Sequence, residues 1–325
     1  MKVSLVSVLI TFFCITSCKE QESVKKIDFN QEALIHDLKV ISHDSMAGRA
    51  FGATGNYKAQ RYIASRFDSL GISPAFSNGN VQKFRHTLKG KKRLEIYPLD
   101  KMPENISDTT LVGGNVVVKI KGASKKLIVV TAHLDHLGIQ KGKIYNGADD
   151  NASGVSALIA IADYFKDKPL NHTLLLAAVD AEEIGSHGAE YLLQNFPLDT
   201  ELIALNINMD MIAHNHSSEL YASGLYHYPF LKKPLDKIET NIDLLYGHDE
   251  PNKKNAQDWT FSSDHRVFHK RKIPFIYFGV EDHKNYHKPT DTFQNINSEF
   301  YIEAVSIVIQ AIENLDSFLM QNGVD

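Results

Sequence analysis

The chain has 325 residues with 35 basic and 39 acidic side chains, a formal charge of −4 and 43% hydrophobic content. No long run of one sign occurs, so nothing marks a nucleic-acid surface, and the apolar content suffices for one large α/β domain. Cys14 and Cys18 are the only cysteines and both lie near the start, so the body holds no disulfide and no thiolate site; any metal there must be bound by His, Asp or Glu.

Met1-Lys2, the apolar run Val3 to Ile15 and then Thr16-Ser17-Cys18 have the form of a secretory signal, too short to span a bilayer comfortably. Ile15-Thr16-Ser17-Cys18 resembles a bacterial lipobox, which implies cleavage before Cys18 and lipid attached to it. Lys19-Glu20-Gln21-Glu22 is similar to the Lys-then-acidic export signal of bacterial surface lipoproteins. The expected organisation is therefore a signal peptide over 1–17, a polar tether over 18–30 and one domain over 31–325. The mature protein is expected to be exported and anchored to the bacterial outer membrane through Cys18, on its periplasmic or outer face.

Residues 31–45 place Leu34, Leu38 and Ile41 on one helical face, and 56–70 do the same with Ala59, Ile63, Phe67 and Leu70 before the stop at Gly71. From about 115, short apolar runs alternate with helices. Val116–Ile120, Leu127–Thr131, Thr173–Val179, Ile203–Met209 and Ile273–Phe278 read as strands buried on both faces. Helices are expected at 153–165, near 188–195 and at about 298–317, and the polar stretch 235–262 as loops. This alternation predicts a three-layer α/β/α sandwich around a mainly parallel or mixed sheet.

Metal-type side chains gather at the ends of these strands. His133 follows the second, Glu182 and Glu183 the third, Asp210 the fourth, and His287 lies in the loop after the fifth. Asp150 stands at the mouth of the helix 153–165, placed to bridge two cations; Asp149 beside it reads as a helix cap. In open α/β sheets, ligands collect at the carboxyl ends of strands. Two histidines and three carboxylates can hold two ions if one carboxylate is shared, and a sixth acid left off the metals can serve as general base. In extended chain Asp135 shares a face with His133 and can support it, and Asp291 can do the same for His287. His187, four residues after Glu183, makes a one-metal helix site conceivable. His214 and His216 are expected on the surface.

Together these pieces resemble peptidase family M28 of zinc peptidases. The resemblance rests on His133-x-Asp135, Gly147-Ala148-Asp149-Asp150-Asn151-Ala152-Ser153-Gly154, Asp180-Ala181-Glu182-Glu183-x-Gly185, Asn208-x-Asp210-Met211 and Tyr286-His287-x-Pro289-x-Asp291-Thr292. Ser263-Asp264-His265 and Ala47-Gly48-Arg49, with Gly52 and Gly55, extend it over about 34–316, while the interval 86–114 is too short for the protease-associated insert of some relatives. It implies two Zn²⁺ bridged by Asp150, one also held by Glu183 and His287, the other by His133 and Asp210. Glu182 is then the general base, and Tyr286 helps to polarise the carbonyl. The function implied is an aminopeptidase acting on peptide substrates. Rival readings are a glutaminyl cyclase-like transferase with one zinc, carboxypeptidase or dipeptidase action, a peptide-binding receptor without catalysis and a surface adhesin.

Overall fold

Runs rich in Val, Ile and Leu flanked by turn residues become the strands of one sheet. The computed structural model describes residues 27–90, 107–196, 198–254 and 257–322. In chain order these form α1 (Gln31–Ile41), α2 (Thr54–Ser69), β1 (Ser73–Pro74), β2 (Val81–Leu88), β3 (Thr109–Ile120), β4 (Leu127–His133), β5 (Gly138–Gln140), β6 (Lys143–Tyr145), α3 (Gly154–Phe165) and β7 (Thr173–Val179). There follow α4 (His187–Gln194), β8 (Ile203–Met209), β9 (Glu219–Ser223), α5 (Lys232–Leu235), β10 (Asp243–Tyr246), α6 (His265–His269), β11 (Phe275–Gly279) and α7 (Ser298–Asn322).

The main sheet runs β1-β3-β7-β4-β8-β11-β9-β10, with β2 also paired to β3. β7, β4, β8 and β11 are mutually parallel, β3 and β9 join them antiparallel, and β10 runs parallel to β9. Alternate residues face opposite ways. Val118, Val130 and Leu176 pack beneath α1, α2, α3 and α7, whereas Val117, Val129 and Leu175 pack against α4 and α6. Each such side chain contributes about 1.5–3 kcal/mol by leaving water, so both faces must stay covered. The expected three-layer sandwich is the fold observed.

Among the described residues six strands fall outside the expected set: β1, β2, β5, β6, β9 and β10. β2 pairs with β3 from Val81↔Val116 to Leu88↔Thr109, yet only Phe84 and Leu88 in it are buried, so its alternation is weak. β10 lies inside the stretch 235–262 and is a partly exposed edge strand. α1 stops at Ile41, because the Ser42 hydroxyl donates back to the Leu38 carbonyl at 2.7 Å and the chain turns into a short 3-10 segment. The parallel core sends the carboxyl ends of β4, β7, β8 and β11 to one edge, and the candidate site lies there.

Candidate metal centre

β4 ends in His133, and the turn after β7 carries Glu182 and Glu183. Asp210 follows β8, and Asp150 stands in the irregular turn that leads into α3. His287 comes from the loop after β11. His133 Nε2 is 3.2 Å from Asp150 Oδ1 and 3.1 Å from Asp210 Oδ1. The other oxygen of Asp150 is 3.1 Å from His287 Nε2, which is itself 3.4 Å from Glu183 Oε2. The five predicted ligand residues thus converge, with Asp150 presenting one oxygen to each side. Tyr286 stacks on His287 with ring centres 4.0 Å apart. Glu182 lines the same cavity of about 630 Å³ and accepts from Ser186 Oγ at 3.2 Å.

The donor set fits a cation. His133 Nδ1–H donates to the Asp135 carbonyl at 3.0 Å, which leaves a neutral His133 with the Nε2 lone pair facing two carboxylate oxygens. Only a proton or a metal relieves that opposition. Burial pulls the His133 imidazolium down, but Asp210 and Asp150 outweigh it and hold it well above the ordinary range. His287 reaches about 10 for the same reason, with Asp150 and Glu183 as its partners. Nitrogen and carboxylate donors in such a cluster are a zinc-type set.

His136 belongs to this cluster and was not anticipated. It is buried, with Nδ1 2.7 Å from Glu183 Oε1 and 3.6 Å from Asp150 Oδ2, and it forms a potential ligand group with those two residues. Its sequence signal is the second histidine of His133-Leu134-Asp135-His136. Gly147 makes room for it, since a side chain there would collide with the His136 ring and the Asp150 carbonyl. The acids of the site are polarised apart. Burial and the charge of Asp150 push Glu183 up, but hydrogen bonds from His136 and His287 bring it down to about 2. Glu182 is raised well above its ordinary value, mainly by burial and then by Asp264, Asp210 and Glu183.

The supporting residues act differently from the expectations above. The chain turns after His133, so Asp135 no longer lies flat behind it: its carboxylate is 3.8 Å from His133 and instead accepts the backbone N–H of Glu182 at 2.9 Å and of Glu183 at 3.3 Å. Asp291 supports Asp150 rather than His287, accepting the N–H groups of Asp149 and Asp150 at 2.9 and 3.0 Å. Asp149 is not a cap; it accepts from Ala213 N–H at 2.6 Å and meets His283 Nε2 at 2.9 Å, while Asn151 caps Gly154 N–H. His187 stacks on His86 of β2 at 3.6 Å. His214 is buried, donating to the Asn295 carbonyl at 2.6 Å, whereas His216 is exposed. In the Ser-Asp-His element, Ser263 Oγ accepts from Asn208, and His265 donates to the Trp259 carbonyl.

Arg49 is wholly buried behind the cluster. It donates to the carbonyls of Ile41, Leu134, Asn146 and Gly147 at 2.6–2.9 Å, tying the chain after His133 to the chain before Asp150. Burial lowers its pKa to about 10, opposed by Asp150, Asp291 and Asp135.

Comparison with known proteins is consistent with this geometry. Aminopeptidase YwaD of Bacillus subtilis is 27% identical over 201 residues, covering 57% of this chain and 40% of the relative. The alkaline phosphatase isozyme conversion protein of Escherichia coli is 26% identical over 177 residues, covering 50% and 46%. The chain thus spans less than half the length of these two relatives. BSAP, a zinc aminopeptidase from Bacillus subtilis, shares the fold with a TM-score of 0.67 at 17% identity, over 90% of this chain and 96% of that one. Fimbriiglobus ruber glutaminyl cyclase shares it with a TM-score of 0.66 at 16% identity, over 89% and 97%. Peptidase family M28 matches residues 115–312, more than half of the chain and the part that carries every candidate ligand: the chain belongs to peptidase family M28.

Proposed function

We propose that this protein is a two-zinc exopeptidase, an aminopeptidase that releases N-terminal residues from peptides. The observation that carries this reading is the placement of Asp150, one oxygen toward His133 and Asp210 and the other toward His287 and Glu183, with Glu182 left outside both groups. One zinc would be held by Asp150, Glu183 and His287, the other by Asp150, His133 and Asp210. Zinc at such a site supplies Lewis acidity toward the scissile carbonyl and lowers the pKa of water.

The chain's own residues do the remaining work. Glu182, which lies outside both ligand groups and accepts a hydrogen bond from Ser186, takes the proton from the attacking water and passes it to the departing amine. Tyr286 keeps its phenolic proton, because burial and then Asp150, Asp210 and Glu183 hold its pKa far above neutrality. It can therefore donate a hydrogen bond to the carbonyl oxygen as charge develops there. Asp135 fixes both glutamates by their backbones, so ligand and base keep their separate directions.

A glutaminyl cyclase-like transferase is the second reading, favoured by the fold shared with the Fimbriiglobus ruber enzyme. His133 and Asp210, which complete a second group, support the peptidase. Metal analysis with an aminoacyl-nitroanilide panel separates the two. Two zincs per chain and hydrolysis support the peptidase; one ion, with cyclisation of N-terminal glutamine and no hydrolysis, overturns it.

We also propose that the protein is exported and carries lipid on Cys18. Support comes from Ile15-Thr16-Ser17-Cys18 and the apolar run before it; both lie outside the described residues. No helix among the described residues is long and apolar enough to cross a membrane.

A further inference from the structure

One cationic side chain in the cavity has no part in the chemistry above. Arg266, on α6, is the only arginine or lysine among the described residues lining the cavity, which it shares with Glu182, Glu183 and His287. It is half-buried. No described residue gives its guanidinium a hydrogen bond or an ion pair, whereas Arg49, Arg66 and Arg271 are all engaged. The turn carrying the two glutamates passes beside it: Arg266 Nη2 is 3.8 Å from the position that a side-chain carbon on Gly185 would occupy. The head group therefore borders the reaction centre.

Its surroundings would repel an anion. Six carboxylates line the cavity, and two of them, Asp258 and Asp282, are exposed. Neither pairs with Arg266; Asp258 instead accepts from Thr260. Apart from the metal positions, a guanidinium left open in an acidic cavity is the place there suited to a carboxylate, which its planar fork can bind through two parallel hydrogen bonds. The cavity volume, about 630 Å³, is of the size that encloses a small ligand, so a short peptide brings its carboxylate near this residue.

We propose that Arg266 binds a carboxylate of the substrate, so that the enzyme favours peptides with an acid close to the scissile bond. The acid is either the C-terminus of a dipeptide or an acidic side chain beside the bond. This rests on the peptidase reading and names its substrate class.

The zinc-loaded enzyme is assayed on two matched pairs, Leu-Ala against its C-terminal amide and Leu-Asp-amide against Leu-Asn-amide, with leucine nitroanilide as a neutral reference. One pair or both should favour the acid by roughly ten- to a hundredfold in kcat/KM. The pair that does so identifies the source of the carboxylate. In Arg266→Gln the ratio should fall to near one, chiefly through KM, and Arg266→Lys should restore part of it. A ratio near one for both pairs in the wild type, or one that survives Arg266→Gln, overturns the proposal. Calorimetric titration of zinc-loaded Glu182→Gln with the same peptides reads the preference without turnover, and its absence there is equally fatal. A wild-type protein that hydrolyses none of the five compounds defeats the peptidase reading, and the titration still decides the role of Arg266.

Discussion

Glu182 and Glu183 are neighbours in sequence and share one anchor, Asp135, yet their environments separate them. Glu183 sits between two imidazoles that hydrogen-bond it and keep it ionised, whereas the Glu182 carboxylate is hydrogen-bonded, among the described residues, only by a hydroxyl, and burial and neighbouring acids outweigh the charge of His133 to raise it. Titratable groups driven apart in this way mark ligand and base. Glu182→Gln keeps the shape but cannot accept a proton, so turnover should fall by about 10²–10⁴-fold or more while both metals stay. Glu183→Gln should shed metal, and His136→Phe, which removes the imidazole holding Glu183, should follow it in weaker form. Zinc content and hydrolysis of leucine nitroanilide, measured on all three variants, test this. Metal loss from Glu182→Gln, or near-normal turnover in it, reverses the roles.

Among the elements, α7 does more than cover the sheet. Asp316 on it accepts from the N–H groups of Asn171 and His172, from Asn171 Nδ2 and from His172 Nδ1, all within 3.0 Å, and so ties the helix to the turn before β7. Burial raises its pKa, but these hydrogen bonds outweigh that and hold it below the ordinary carboxylate range. A depressed folded pKa contributes stability above the unfolded value, about 3.9, and that contribution is lost as pH falls through the folded value. Asp316→Asn should therefore cost roughly 2–4 kcal/mol near neutrality, with melting curves of variant and wild type converging below about pH 4. A gap that stays constant down to acid pH would contradict this. The same contrast of local and distant partners explains what could be read from sequence. β4, β7 and β8 were legible because every residue in them is buried, and the ligands because four lie at or after strand ends and Asp150 stands at the mouth of an apolar helix. β10 was hidden because it is a short, partly exposed edge. The actions of Asp135, Asp149 and Asp291 were hidden because each reaches across a turn or to a residue distant in sequence, beyond any periodicity.

For the whole molecule, the buried carboxylates of the site tie stability to metal. Ions that bind only the folded chain stabilise it by mass action, about 2.7 kcal/mol at a hundredfold excess over Kd. A chelator should therefore lower Tm by several degrees, at about 2–4 °C per kcal/mol for a domain of this size, and added zinc should restore it; an unchanged Tm would show that the folded body does not depend on the ions. Mass spectrometry of the N-terminal peptide tests the membrane anchor: lipid on Cys18 is expected, with more than one acyl chain because a single chain binds membranes only marginally. An unmodified start, or cleavage elsewhere, refutes it. Arg49 leads to a different point. It lies before residues 115–312, which match peptidase family M28, as do Asn56 and Gln60, whose amides hold Asp180 just ahead of the glutamate pair. The matched stretch is thus shorter than the body that encloses the site. A gene fragment limited to residues 115–312 would encode every candidate ligand and still lack the clamp that sets two of their loops, so grafting it onto another protein should transfer the residues without the centre.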